Sequence, residues 1–208
     1  MKGNAYAFAS EVDRQIESFS RDEFLEKKGR CKRLREEILP ISRFALSLKL
    51  PGCEVEVEVF EDSGPVDGRI RVSGFRVDEF DVQATFVYDY TDSLRDELLA
   101  RQGAAPGFGP IYRDKQFDGI IACGQATDVE ETLDILSLAI LARFQNKTEK
   151  GATSNTALLI SFDDVTLSQH SVWTRLLERI TRQGGLSGSG FKQIFLLNCA
   201  TNQLYRAA

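Results

Sequence analysis

Residues Glu54-Val55-Glu56-Val57-Glu58-Val59-Phe60 alternate acidic and apolar side chains without a break. Successive side chains of a β-strand point to opposite faces, so this run reads as a strand with one wet face and one buried face. In a helix the same period would scatter the valines around the axis. The strand therefore needs a sheet, and the sheet needs a covering layer on its valine side. The next residues supply partners: Asp62-Ser63-Gly64-Pro65 is a turn cluster, Arg69-Ile70-Arg71-Val72-Ser73 alternates again, and Phe80 to Tyr88 reads as a third strand.

The covering layer comes from helices on either side. From about Ala5 to Leu39, the apolar residues Val12, Ile16, Phe19, Phe24, Leu34 and Ile38 recur near helical spacing; Gly29 offers a point of division, and Pro40 an end. After the three strands, a helix is expected over Thr91–Arg101, with Thr91 or Asp92 as its N-cap. Residues 103–119 read as a loop with Pro106, Pro110 and several glycines, of a length that is often functional. A long helix over Val129–Lys147 carries Leu133, Leu136, Ile140 and Phe144 on one face. The nearly unbroken apolar run Thr156–Phe162 predicts a strand buried on both faces. A helix over Thr166–Thr181, a glycine/serine turn at Gly184–Gly190 and a strand over Gln193–Cys199 complete the chain. The order α-β-β-β-α-loop-α-β-α-β implies an α/β fold in which an antiparallel set joins parallel crossovers. All 208 residues fit one domain, with a helical segment over 1–40, a core over 54–162 and an extension over 163–208.

Composition excludes several classes of function. The cysteines Cys31, Cys53, Cys123 and Cys199 are widely spaced and form no C-x-x-C pair, which argues against a zinc ribbon and for reduced thiols in a cytoplasm. No apolar run reaches membrane-spanning length. His170 is the one histidine, so multi-histidine metal sites are excluded, and its place at a helix start suits a solvated residue. There is no phosphate-loop motif, and the glycines at 184–190 precede a strand rather than a helix. Charge is uneven. Residues 1–50 hold 11 Lys/Arg against 8 Asp/Glu, and residues 51–100 hold 4 against 13. The basic run Lys27, Lys28, Arg30, Lys32, Arg33, Arg35 suits either a phosphate backbone or a solvated helix face balanced by Glu23, Glu26, Glu36 and Glu37.

What remains is carboxylate chemistry. Asp81, Gln83 and Thr85 share a strand face, and Asp67 stands at the head of the preceding strand, so a hairpin would set Asp67 beside that face. Mg²⁺ accepts such oxygen ligands and needs only one or two carboxylates. Taken with the order of elements, this chain resembles the PD-(D/E)XK, or restriction-endonuclease-like, nuclease superfamily over roughly residues 10–162. The resemblance implies that Pro65-Val66-Asp67 takes the place of the Pro-Asp element with one residue inserted. Gln83-Ala84-Thr85 then takes that of (D/E)-X-K. It implies a restriction-endonuclease-like mixed sheet, a Mg²⁺ cofactor, DNA as partner and a possible homodimer. It further implies Asp67, Asp81 and a first-helix acid, Glu17 or next Glu11, as metal ligands. Asp81-Val82-Gln83 is an alternative dyad. Thr85 stands where the superfamily's lysine belongs, and Lys147, Lys150 or Lys115 would supply the ammonium from elsewhere. Two other readings stay open. One is a catalytically inactive interaction or nucleic-acid-binding protein on the same fold. The other is a small-ligand module near Asp163, Asp164 and the 103–119 loop, with a turn or helix cap as the ordinary role of those two aspartates. Phe75, Phe80, Phe86, Tyr88 and Tyr90 are expected to pack in the sheet, and Trp173 in the core.

Overall fold

The computed structural model describes residues 1–27, 29–61, 64–88, 90–114, 116–117, 119–126, 128–151 and 155–207. Lys28, Lys115, and Asp62 and Ser63 of the expected turn lie outside them. Among the described residues, seven strands form one mixed sheet in the order β1-β2-β3-β4-β7-β8-β9. The strands are β1 (Lys2–Asn4), β2 (Cys53–Val59), β3 (Gly68–Gly74), β4 (Asp78–Phe86), β7 (Thr156–Phe162), β8 (Gln193–Asn198) and β9 (Gln203–Arg206). β2, β3 and β4 form the expected antiparallel meander, in which Val57 faces Ile70 and Ile70 faces Phe80. β4, β7 and β8 run parallel. A separate hairpin, β5 (Ile111–Arg113) with β6 (Ile120–Ala122), occupies much of the stretch expected to be loop.

The two faces of the sheet are covered differently. Helices α1 (Ala5–Glu17) and α4 (Leu39–Ser47) cover the valine face of the meander, where Phe8, Val12, Ile41 and Phe44 meet Val55, Val57, Ile70, Phe80 and Val82. Phe44 lies 4.7 Å from Phe195, ring centre to ring centre. On the opposite face, α6 (Val129–Glu149) and α7 (His170–Arg182) cover β7 and β8 through Leu133, Ile140, Trp173, Leu176 and Ile180. β7 is consequently buried along its whole length, as its continuous apolar sequence requires. Glu54, Glu56 and Glu58 point away from the valine face, and Arg69 and Arg71 stand across from Glu58 and Glu56 in the register.

The N-terminal helical segment departs most from its expected form. It breaks after α1, restarts as α2 (Arg21–Leu25) behind the Ser20–Glu23 capping box, and turns at Gly29, where φ is +54°. It then runs through Pro40 instead of ending there. α3 (Arg30–Arg33) leads into a π-helical turn over Leu34–Ile38 and directly into α4. Leu39 N–H bonds Leu34 C=O in the π pattern, and Pro40, which has no N–H to give, follows directly where α4 begins. α5 (Tyr90–Gln102) begins one residue earlier than expected, so Thr91 and Asp92 lie inside its first turn and are not caps. Phe80 and Phe86 are buried and Trp173 is in the core, but Phe75 and Tyr90 are exposed, because they sit at the β3–β4 turn and at the start of α5. Among the described residues, no helix is long and apolar enough to cross a membrane.

Candidate functional site

Asp67 stands immediately before β3 and is fixed to β4 from both sides of Gln83. Its N–H donates to Val82 C=O at 2.9 Å, and its Oδ2 accepts Ala84 N–H at 2.7 Å. Gln83, 8% exposed, donates from Nε2 to Pro65 C=O at 3.1 Å. That bond ties the segment preceding Asp67 to the strand and leaves the Gln83 amide oxygen without a hydrogen bond among the described residues. The parity of β4 holds: Phe80, Val82, Ala84 and Phe86 are buried, and Asp81, Gln83 and Thr85 take the other face.

Lys147, in the last turn of α6, is half-buried on this side. Burial pulls its ammonium below the ordinary lysine range; attraction to Asp67 and Glu37 opposes the shift, and repulsion from Lys150 and Arg143 adds to it. Lys147 is thus within electrostatic reach of Asp67. Lys150 is exposed beyond the helix end and repels the Lys147 ammonium. Asp81 shares the face of Gln83 but is committed to Arg69 at 2.7 Å, so its charge is neutralised within the sheet. Glu17 ends α1 on an exposed surface, and Glu11 is held by Arg14 and Gln15; neither joins the contacts around Asp67.

Glu37 is a second acid, after Asp67, whose charge acts on Lys147, and the sequence reading does not single it out. It rides on the π-helical turn, whose extra residue moves the helical register and brings Glu37 to this edge. Glu37 pairs with Arg33 at 3.0 Å, and the Arg33 guanidinium also donates to Phe60 C=O and, at 2.9 Å, to Glu61 C=O. The helix therefore clamps the connection that leads to Asp67. Among the described residues, no three His, Cys, Asp or Glu side chains converge as metal ligands. Among the described residues, Asp67 Oδ1 and the Gln83 amide oxygen accept no hydrogen bond, and a hard cation that keeps most of its waters could use such oxygens.

Next to this cluster, at the carboxyl ends of β4 and β7, lies a second and more enclosed one. Arg35 pairs with Asp96 at 2.7 Å, each side chain 14% exposed, and approaches Asp163 at 4.0 Å. Tyr88 Oη donates to Asp96 at 2.7 Å. Lys27 Nζ lies over the Tyr88 ring and bonds Glu36 at 3.0 Å. Burial brings Lys27 down to about 8, despite the Glu36 hydrogen bond. Burial also pushes the Tyr88 phenol and the Asp163 carboxyl up, the latter against the pull of Arg35. Lys27, Glu36 and Tyr88 of this cluster line a cavity of about 510 Å³ together with Lys32, Glu97 and Arg101 among others. Within the described part of the basic run, Lys27 pairs with Glu36 and Arg33 with Glu37, the balancing acids that the sequence offers. Lys27, Arg33 and Arg35 turn inward, and Arg30 and Lys32 stay exposed. Asp164 takes the expected capping role, accepting Thr166 N–H at 2.7 Å, whereas Asp163 faces the Arg35 network.

Comparison with known protein families, with curated proteins and with solved structures finds no match to this chain.

Proposed function

We propose that this protein is a Mg²⁺-dependent nuclease of the PD-(D/E)XK type, hydrolysing DNA phosphodiesters on a restriction-endonuclease-like sheet. The observation that carries the reading is Asp67 hydrogen-bonded to β4 on both sides of Gln83, with the Lys147 ammonium of α6 within its electrostatic reach. The meander β2–β3–β4, the crossover through α6 and the parallel strand β7 follow the order of that superfamily's core, which supports the assignment. In this reading Asp67 holds the cation through the oxygen not bonded to Ala84, and Gln83 adds its amide oxygen. The ion, when bound, supplies a water of lowered pKa and neutralises phosphate charge. Lys147 takes the place of the missing strand lysine and stabilises the charge that builds on the phosphate. The charges of Asp67 and Glu37 favour the charged form of that ammonium against its burial. Asp81, paired with Arg69, is left out of the ligand set, as is Glu17, and Lys150 is left out of the ammonium's role.

One observation favours the catalytically silent reading on the same fold. Thr85 occupies the lysine position, and Asp67 is the single carboxylate beside Gln83 that no cation pairs within the sheet. Calorimetric titration of Mg²⁺ and Mn²⁺ into wild type and Asp67→Ala, with parallel incubation on plasmid and single-stranded DNA, separates the two. Metal binding and cleavage that both vanish in the variant support the nuclease. A wild type that binds no metal and cuts no DNA overturns it in favour of the silent scaffold.

A further inference from the structure

The cavity of about 510 Å³ beside Tyr88 takes no part in the nuclease reading. Its walls come from the turn after α2, from α3, from the π turn and from α5, where Ser93, Glu97 and Arg101 recur every fourth residue on one helix face. One wall group is an amine. Lys27 holds φ +51°, a backbone conformation uncommon outside glycine, and its side chain is 8% exposed. Its Nζ lies over the Tyr88 ring and bonds Glu36 at 3.0 Å. A lysine that served only to pair with a glutamate would do so from the surface, with its ammonium in water. Here burial brings the amine down to about 8 and the Arg35 charge adds to the shift, while Glu36 and Asp96 oppose it. At pH 7 about a tenth of such an amine is free base, against roughly one part in three thousand for an ordinary lysine.

We infer that Lys27 is a nucleophilic amine that forms an imine with a small carbonyl compound carrying an anionic group, bound in this cavity. The inference is independent of the nuclease reading. An imine-forming lysine needs a desolvated amine, a proton-transfer partner bonded to it and room for the carbonyl. Burial, Glu36 and the cavity supply these in turn. The free amine adds to the carbonyl carbon. Glu36 relays both nitrogen protons to the carbonyl oxygen, which leaves as water, and a C=N bond remains; no oxidant or reductant takes part. Tyr88 Oη is bonded to Asp96 at 2.7 Å, which anchors the ring under the amine. Lys32 selects the anionic group. It lines the same cavity, is exposed and pairs with no acid among the described residues, whereas Arg101 is held by Glu97 at 2.7 Å.

Incubation of the wild type at pH 7 with glyoxylate and cyanoborohydride, which reduces an imine to a stable secondary amine, tests the inference when the labelled lysines are mapped by peptide mass spectrometry. Lys27 should label at least about tenfold faster than the exposed lysines. In urea that preference should vanish, because the unfolded chain has no buried amine. Lys32→Ala, a change at an exposed position, should slow glyoxylate labelling of Lys27 roughly threefold, the contribution of one exposed ion pair. The same change should leave labelling by neutral acetaldehyde as it was. A Lys27 that labels no faster than exposed lysines overturns the inference, as does a preference that survives urea. An equal effect of Lys32→Ala on glyoxylate and acetaldehyde, or none on either, overturns the anionic ligand.

Discussion

Replacing Lys27 with methionine should make the stability of this protein much less sensitive to alkaline pH. The Lys27 side chain is 8% exposed, and burial brings its amine down to about 8 from an ordinary value of 10.5. Between those values the unfolded chain binds a proton that the folded chain has released. Stability therefore rises with pH across that window. Integrating the linkage from pH 7 to pH 10 gives a gain of about 2.5 kcal/mol attributable to this one group. Lys27→Met removes the titration. It also deprives Glu36 of its partner, a loss that offsets the two curves by a constant. Tyr88 is present in both proteins. As an acid with a raised pKa it lowers stability only as pH passes its ordinary value of 10.0, beyond the window. Urea unfolding of wild type and variant at half-unit steps from pH 7 to pH 10 measures the difference. A wild-type-minus-variant difference that grows by about 2.5 kcal/mol toward high pH is expected. A difference flat to within about 0.5 kcal/mol would refute the claim that burial holds this amine near neutrality.

Lys147→Met should reduce DNA cleavage by roughly 10² to 10³ while leaving Mg²⁺ affinity equal or higher, measured by single-turnover cleavage and calorimetry. Because burial lowers the Lys147 pKa, wild-type cleavage should also fall on the alkaline side at a lower pH than an ordinary lysine would give. Arg35→Met leaves Asp96 and the nearby Asp163 without their counterion, and should cost about 3–5 kcal/mol in urea unfolding. Arg35→Met/Asp96→Asn should recover part of that loss, because the stranded charge is gone. Gly109→Ala should loosen the hairpin: Gly109 has φ +104°, and an added Cβ would collide with Cys123 C=O. Hydrogen exchange at Ile111 and Ile121 should rise while the sheet stays protected.

The meander and its site residues were legible because they rest on the period of two. Once Glu54–Phe60, Arg69–Ser73 and Phe80–Tyr88 are strands, the hairpin register sets Asp67 beside Gln83 with no further information. Lys147 was legible as the end of a long helix leading to the next strand. Glu37 was not, because a π turn adds a residue to the helical ladder without any mark in the hydrophobic pattern, and a plain helix of the same sequence puts other side chains at the edge. The fates of the basic residues were hidden for a related reason. Whether Arg35 meets water or Asp96 depends on an aspartate far along the chain, and periodicity carries no long-range pairing. β5, β6 and the edge strands β1 and β9 have three or four residues each, too few for alternation to stand out.

The sheet order also imposes a sequence in time. β2, β3 and β4 pair with near neighbours and can associate as soon as they leave the ribosome. The open edge of β4, however, pairs with β7, which is made only after α5, the hairpin and α6. At typical elongation rates that edge waits about 4 to 15 s for its partner. Through that interval a row of unsatisfied backbone groups, flanked by Val82, Ala84 and Phe86, is open to strands from other chains. Slowing translation between Phe86 and Thr156 should therefore lower soluble yield, and an Hsp70-type chaperone that holds the nascent meander should restore it.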